Sequence, residues 1–467
     1  MRKTKIVCTL GPATRSADAI SSMARAGMNV ARMNFSHETY AEHKLAVETV
    51  KRVRQTLDMP IALLLDTRGP EIRLSEIPDG PVTLEVGSRY TLYADGRSGG
   101  KSGCGVNYAP MTGRLSRGDK VLINDGEVCL RVDSADNMSA VCTVVRGGAV
   151  SGKKSINLPG VDIDMPFLSE TDMNDLLFGI EHGVEYVAAS FVRTGSDIDM
   201  MRAFLDRNGG SKISIIAKIE NALGIYNFDD ILARSDGIMV ARGDMGVEIP
   251  FERLPGIQKL SIQHCISASK PSITATQMLE SMTEQAVPTR AEISDVANAV
   301  FDGTSSVMLS GETAVGAHPQ LVVSTMASIL CQAEADSHIL RSPYCKDSRL
   351  AALCDAAVTL AEDCSAAAII VLTSSGLTAT TLSAHRPLAP IVAVTTSEIT
   401  YNKLALIWGV TPLKDEGARG DSQLLSNAIA RCKQMGIIAK GDSAVVIYGL
   451  DGDIGGKADV IRLITVE

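Results

Sequence analysis

The chain has 467 residues, 45% of them hydrophobic and 21% charged, with a formal net charge of -9 and a single tryptophan. That length supplies several hydrophobic cores, the acidic balance argues against nucleic-acid binding as the main activity, and no apolar run approaches a membrane span. Lys3 and Lys5 fall where a signal peptide would be apolar, so a cytoplasmic location is expected.

Period and punctuation then give strand-helix alternation, the mark of a parallel sheet with helical crossovers. Candidate strands run Lys3 to Thr9, Asn29 to Asn34, Ile61 to Asp66, Glu185 to Ser190, Ile213 to Lys218, Gly237 to Arg242, Ser272 to Thr276 and Ser305 to Ser310. Helical spacing appears at Ala17 to Arg25, Glu42 to Leu57, Asp172 to Glu181 and Ala291 to Phe301. Eight such units predict a closed (β/α)8 TIM barrel over 1–67 and 166–336. The third unit breaks the rhythm: about a hundred residues separate its strand from its helix, far beyond an ordinary βα loop. Short strands at Val82 to Val86, Lys120 to Ile123, Val128 to Val132 and Ser139 to Val144 predict a small inserted β-barrel lid domain over 68–165. Such an insert at a barrel mouth is placed to close over the site and exclude water.

A third block, 337–467, reads as a C-terminal α/β domain. Its strands are Ala368 to Thr373, Ile391 to Thr395, Val410 to Leu413, Ala444 to Tyr448 and Val460 to Val466, with helices near Ala379, Glu398 and Gln423 to Met435. The turn Thr373-Ser374-Ser375-Gly376-Leu377-Thr378 leads into a helix and offers hydroxyls, amides and a positive dipole end to a phosphorylated effector. Ordinary capping by the same hydroxyls is the competing reading. The ten cysteines lack C-x-x-C spacing, and Cys8, Cys265 and Cys331 sit in apolar contexts, so reduced core thiols are expected.

Polar groups recur at one end of the barrel strands, the end that carries reactive residues in such barrels. They are Arg32, Asn34 and Ser36 after the second strand, Asp66, Thr67 and Arg73 after the third, and Ser190 at the fourth. Lys218 and Glu220 follow at the fifth, Asp244 at the sixth, Thr276 at the seventh, and Ser310 and Glu312 at the eighth. Side chains alternate along a strand, so Lys218 and Glu220 share a face. The two carboxylates Glu220 and Asp244 then suit Mg²⁺ or Mn²⁺, with an ammonium beside them to neutralise a phosphoryl group or an enolate. Lys153 and Lys154, near the strand returning from the insert, are candidates to meet an anion, with a solvated surface pair as the competing reading.

The runs Met33-Asn34-Phe35-Ser36-His37, Leu65 to Arg73, Lys218-Ile219-Glu220-Asn221, Met239 to Glu248, Ala275 to Met282 and Leu309 to Ala314 closely resemble the signatures of pyruvate kinases. The resemblance spans nearly the whole chain. It implies phosphoryl transfer from phosphoenolpyruvate to ADP, giving pyruvate and ATP, commonly in a homotetramer whose C-terminal domain binds effectors. By resemblance Glu220 and Asp244 hold the divalent ion, Lys218 and Arg32 the phosphoryl group, and the Gly243 and Asp244 amides the substrate carboxylate. Thr276, with Ser310 and water, matches the proton-delivery position; Asn34, Ser36, Asp66 and Thr67 match a K⁺ site. Asn34, His37, Arg73 and Lys154 are the nucleotide candidates.

Glu71 stands where cation-independent relatives place a lysine, which implies a monovalent-ion requirement, with Asp66 left unbalanced when the site is empty. Glu38 replaces a usual glycine and Arg68 a commoner lysine. The loop Gly449 to Asp453, with Lys457 nearby, lacks the basic or aromatic groups of members activated by fructose bisphosphate. Enolate-forming lyases on the same barrel would not need the insert, and a sensor without catalysis should have lost Lys218, Glu220, Asp244 or Thr276.

Overall fold

The computed structural model describes residues 2–161, 163–336, 348–418, 420–449 and 458–467. Most of the C-terminal loop, Leu450 to Asp453, and Lys457 lie outside the described residues. The eight strands are β1 (Lys5–Thr9), β2 (Val30–Asn34), β3 (Ala62–Asp66), β4 (Tyr186–Ala189), β5 (Ser214–Ile219), β6 (Gly237–Ala241), β7 (Ser272–Ala275) and β8 (Ser306–Leu309). They close into one parallel barrel in sequence order, β8 pairing back onto β1.

Alternation along each strand divides the barrel residues into two cores. Val7, Val30, Leu64, Ile216, Met239, Ile273 and Met308 pack in one cluster inside the barrel. Ile6, Ala31, Leu63, Leu65, Ile215 and Ile238 face outward against the helices. Ala405 and Leu406 from the C-terminal α/β block join the inner cluster.

Helices α1 (Ala17–Ala26), α2 (Tyr40–Leu57) and α3 (Glu170–Glu181) begin on Ser16, Thr39 and Ser169, each side chain accepting from the backbone N–H three residues on. After β6 come α4 (Arg242–Glu248) and α5 (Leu254–Ser267), and before β8 comes α6 (Arg290–Phe301), opened by a Thr289–Glu292 capping box.

The insert after β3 folds into a seven-stranded sheet beside a two-stranded one, around a core that includes Tyr90, Leu92, Val121, Leu130 and Val144. Five strands of two to five residues, Ile72–Arg73, Arg89–Tyr93, Gly103–Gly105, Gly148–Val150 and Ser155–Asn157, join those the sequence marks. Most are too short for a periodic signal. Ties between the insert and the barrel include Asn157 Nδ2 donating to Glu248 Oε1 at 3.1 Å, Arg193 donating to the Ile163 and Met165 carbonyls at 2.9 and 2.8 Å, and Gly69 N donating to Asp172 Oδ1 at 3.0 Å.

The C-terminal sheet has the order Val410–Lys414, Ile391–Thr395, Ala368–Leu372, Ser443–Tyr448, Val460–Thr465, parallel except for the last strand. It grips the underside of the barrel, with Tyr186 Oη donating to Lys403 O at 2.8 Å and Lys403 Nζ to Ser214 Oγ at 2.8 Å. Cys8 and Cys265 are buried as expected, but Cys331 is exposed. Its apolar sequence neighbours mislead because Leu330 turns inward on the helix Pro319–Asp336 while the next position faces out. Among the described residues no helix is long and apolar enough to cross a membrane.

Candidate active site

The C-terminal ends of β2 to β5 bring a charged cluster to one point. The Lys218 ammonium lies 2.7 Å from Ser190 Oγ, 3.1 Å from Asp66 Oδ1 and 2.8 Å from Glu220 Oε1, so its three donors meet the ends of β3, β4 and its own strand β5. Arg32 donates from Nε to Asp66 Oδ2 at 2.6 Å and from Nη1 to Thr9 Oγ1 at 2.9 Å. Burial disfavours charge on both Lys218 and Asp66, yet pairing outweighs it. Asp66 and Glu220 hold the lysine above its usual range, and Lys218 and Arg32 hold Asp66 below the carboxylate range. Asp66 is therefore balanced on two sides by the protein, contrary to the expectation that an unfilled cation site leaves it unbalanced; the register that seats Lys218 beside β3 was not readable from spacing.

Glu220 accepts from the Phe191 N–H at 2.6 Å through Oε2, while its buried Oε1 meets Lys218 but accepts no well-directed hydrogen bond. Asp244 sits in the first turn of α4. Both carboxyls are raised, chiefly by burial and against the pull of Lys218; Asp244 adds to the rise of Glu220, and Asp125 and Glu71 to that of Asp244. Carboxylates that crowd one another in this way fit a divalent hard cation. Among the described residues no group of three or more His, Cys, Asp or Glu is placed to hold a metal ion.

The four groups expected to hold K⁺ lie at the ends of β2 and β3, where Asn34 is the register partner of Asp66. Asn34 Oδ1 accepts from Ser36 N at 3.1 Å, and the Thr67 carbonyl accepts from Ser190 Oγ at 2.6 Å. This all-oxygen set with one carboxylate suits a weakly hydrated monovalent ion.

Thr276 takes φ 68° and Gln277 φ 54°, left-handed conformations unusual for non-glycine residues and most of all for a β-branched one. The Thr276 hydroxyl donates to Ala275 O at 2.6 Å and accepts from Gly243 N at 2.8 Å. The Gly243 amide, expected to receive the substrate carboxylate, is thus engaged by Thr276, because the turn carries that hydroxyl across to α4. Ser310 Oγ is buried without a protein partner, while its amide donates to Glu312 Oε2 at 2.7 Å.

Two cavities flank the cluster. One of about 230 Å³ is lined by Glu71, Phe191, Asn221, Asp244 and Glu248 with Asn157 of the insert. The other, about 490 Å³, is lined by Ser36, Arg68, Arg73, Asn107, Tyr108 and Lys153. His37 is at the exposed loop tip, its pKa lowered by burial of part of the ring and by the charges of Arg73 and Arg32. Lys153, not the expected Lys154, lines the larger cavity; the chain turns there, with φ 65°, and the Lys153 ammonium pairs with Glu76 at 2.6 Å. Arg73 also pairs with Glu71 at 2.6 Å.

In the C-terminal turn, Thr373 Oγ1 accepts from Gly376 N at 2.9 Å, Ser375 Oγ from Leu377 N at 3.4 Å, and the Ser374 carbonyl from Thr400 Oγ1 at 2.7 Å. With Thr378 buried, this is self-capping, and two amides expected to meet a phosphate are already satisfied. Two participants were missed in the sequence. Ser190 was legible only as a polar residue at a strand end, and Arg242 only as the last residue of the sixth candidate strand.

The family model for the pyruvate kinase barrel domain matches residues 1–323, and that for the pyruvate kinase alpha/beta domain matches 351–464. The chain belongs to the pyruvate kinase family. A pyruvate kinase of Clostridium acetobutylicum is 41% identical over 473 residues, covering 100% of both chains. One from Staphylococcus saprophyticus is 43% identical over 470 residues, covering 99% of this chain and 80% of the relative. The crystal structure of a pyruvate kinase from Cryptosporidium parvum superposes with a TM-score of 0.93 at 34% identity, covering 100% of this chain and 96% of that one. This membership makes the chain a phosphotransferase, with the eight-stranded barrel as its catalytic frame.

Proposed function

We propose that the mouth of the barrel transfers the phosphoryl group of phosphoenolpyruvate to ADP, and that Lys218 and Arg32 hold that group in transit. The observation that carries the reading is the Lys218 ammonium, drawn between Asp66, Ser190 and Glu220 beside a cavity lined by Arg68, Arg73 and Lys153. A β-phosphate oxygen of ADP attacks phosphorus, the bond from phosphorus to the enol oxygen breaks, and its electron pair leaves an enolate of pyruvate. Such transfer needs alignment and neutralisation of spreading charge more than covalent help. The basic cavity supplies the second requirement for the nucleotide, with Arg73, His37, Asn34 and Lys153 as its contacts.

Glu220 and Asp244 hold Mg²⁺ or Mn²⁺, and Asn34, Ser36, Asp66 and Thr67 hold K⁺; bound there, the ions supply Lewis-acid polarisation and added positive charge. The enolate is completed by a proton at its methylene carbon. Thr276 directs its own proton to Ala275 O, so it orients a water rather than acting as the sole acid, and the unpartnered Ser310 hydroxyl completes that relay. A cytoplasmic homotetramer accords with the family, and the exposed Ser374 and Ser375 are what the C-terminal turn leaves to a phosphorylated effector.

A coupled assay tests the reading: purified protein with phosphoenolpyruvate, ADP, Mg²⁺ and K⁺ should form pyruvate and ATP in equal amounts. Pyruvate formed without ADP would point to hydrolysis instead and sink the transfer reading.

A further inference from the structure

We infer that Arg242 is a positioning residue for protonation of the enolate, acting by holding the loop that presents Thr276; the inference rests on the functional reading above. Arg242 directly follows β6 and is 6% exposed. It lines neither of the two cavities. Its guanidinium instead crosses to the end of β7, donating from Nε to Ala275 O at 3.2 Å and from Nη2 to Thr276 O at 2.6 Å and Gln277 O at 3.3 Å. The other arm, Nη1, reaches Asp295 Oδ1 on α6 at 2.8 Å and Gln258 Oε1 on α5 at 3.3 Å.

A planar fork with five N–H donors can serve this many acceptors at once, and an ammonium cannot. The loop it holds needs such support, since two successive non-glycine residues are kept at φ 68° and 54°, and strain of this kind persists only where the surroundings over-determine it. The neighbours of Arg242 extend the hold: Gly243 N fixes the Thr276 hydroxyl at 2.8 Å, and Asp244 is one of the two carboxylates assigned to the divalent ion. Three consecutive residues therefore set the backbone of the proton-delivery loop, the direction of its hydroxyl, and one side of the ion site. An Arg–Asp pair that served the fold alone, with Asp295 itself partly exposed, would have no need to collect three carbonyls of one strained turn.

The two roles predict different kinetics. A structural strut lost from the barrel lowers every step together, whereas a misplaced Thr276 loop slows carbon protonation more than phosphoryl transfer. The test uses full-length Arg242→Lys beside the unmodified protein. ATP formation from phosphoenolpyruvate and ADP reports transfer, and exchange of pyruvate methyl hydrogens for deuterium in D₂O, with ATP, Mg²⁺ and K⁺ present, reports the proton step in reverse. The ratio of exchange to ATP formation should fall about tenfold or more, within what a positioned proton-transfer group contributes, while KM for phosphoenolpyruvate stays within about threefold. Parallel loss of both rates, or loss of neither, overturns the inference. Should Arg242→Lys fail to fold, Asp295→Asn frees one arm of the guanidinium and should lower the same ratio by about threefold; an unchanged ratio there overturns it equally. Absence of ATP formation by the unmodified protein would instead overturn the functional reading, which is why that measurement comes first.

Discussion

The Arg32 guanidinium donates to Asp66 from 2.6 Å, with both side chains buried at the ends of adjacent strands. Lys218 stands on the other side of the same carboxylate at 3.1 Å. Asp66 thus fixes both cations assigned to the phosphoryl group. Asp66→Asn leaves these cations without their shared counter-charge, and loss of one partner from a buried ion pair costs about 3–5 kcal/mol. We expect a clear fall in denaturant midpoint together with a loss of kcat; a variant with unchanged midpoint would show that the cluster is not held by charge.

Lys218→Met should lower phosphoryl transfer on the order of 10²-fold or more, the usual scale for losing preorganised charge stabilisation. Because Lys218 contacts the Glu220 oxygen offered to the divalent ion, Mn²⁺ should bind at least as tightly as before. Single-turnover kinetics with Mn²⁺ titration by electron spin resonance would check both; loss of Mn²⁺ binding would count against the assignment of Glu220.

Arg193 holds the segment returning from the insert by two carbonyls, and that segment also lines the cavity beside Asp244. Arg193→Ala should raise KM for phosphoenolpyruvate and ADP together and speed limited proteolysis between about 158 and 168, where loosened backbone becomes open to cleavage. Unchanged proteolysis with unchanged KM would show that the hinge needs no such tie.

A monovalent-ion requirement remains the expectation, now on a different footing. Glu71 is raised chiefly by burial, against Arg73, with Asp125 and Glu220 adding to the rise, and its carboxylate pairs with Arg73 at 2.6 Å, so it offers no ammonium in place of the ion. Activity should collapse in a tetraalkylammonium buffer with Mg²⁺ and return with K⁺, and Glu71→Lys should lessen the requirement. Full activity of the unmodified chain without K⁺ or Na⁺ would remove the site.

Burial lowers the pKa of His43 from the ordinary 6.5, against the opposing pull of the His37 carbonyl and Glu38; its ring stacks on Phe35 at 4.0 Å. A histidine that binds its proton more weakly when folded stabilises the fold above its unfolded pKa, and that stability is lost as pH falls through the folded value. Melting temperature should therefore drop as pH is taken below about 6.5, less steeply in His43→Asn. An equal slope in the two proteins would refute the role.

Much of this was legible because the signals were strong. Each barrel strand is buried on both faces and reads as an apolar run with a polar residue at its end, and Thr39, Ser169 and Thr289 announce their helices through caps. What escaped was set by pairing across space. Nothing in the order of residues says that Lys218 reaches Asp66 and Ser190, that Gly243 N is taken by Thr276, or that Lys153 rather than Lys154 lines the larger cavity. The short strands of the insert gave too little periodicity to be seen. Cys331 misled because neighbours in sequence are not neighbours on a helix face.

Ala405 and Leu406 lie in the same apolar cluster as the residues inside the barrel. The floor of the catalytic frame is therefore made from another part of the chain, like a stopper in the base of a flask. A gene cut at the change of composition near residue 336 would yield a barrel whose interior opens to water at its lower end. Exchange of C-terminal blocks between relatives would fail for the same reason unless the stopper and the strand ends it meets were moved together.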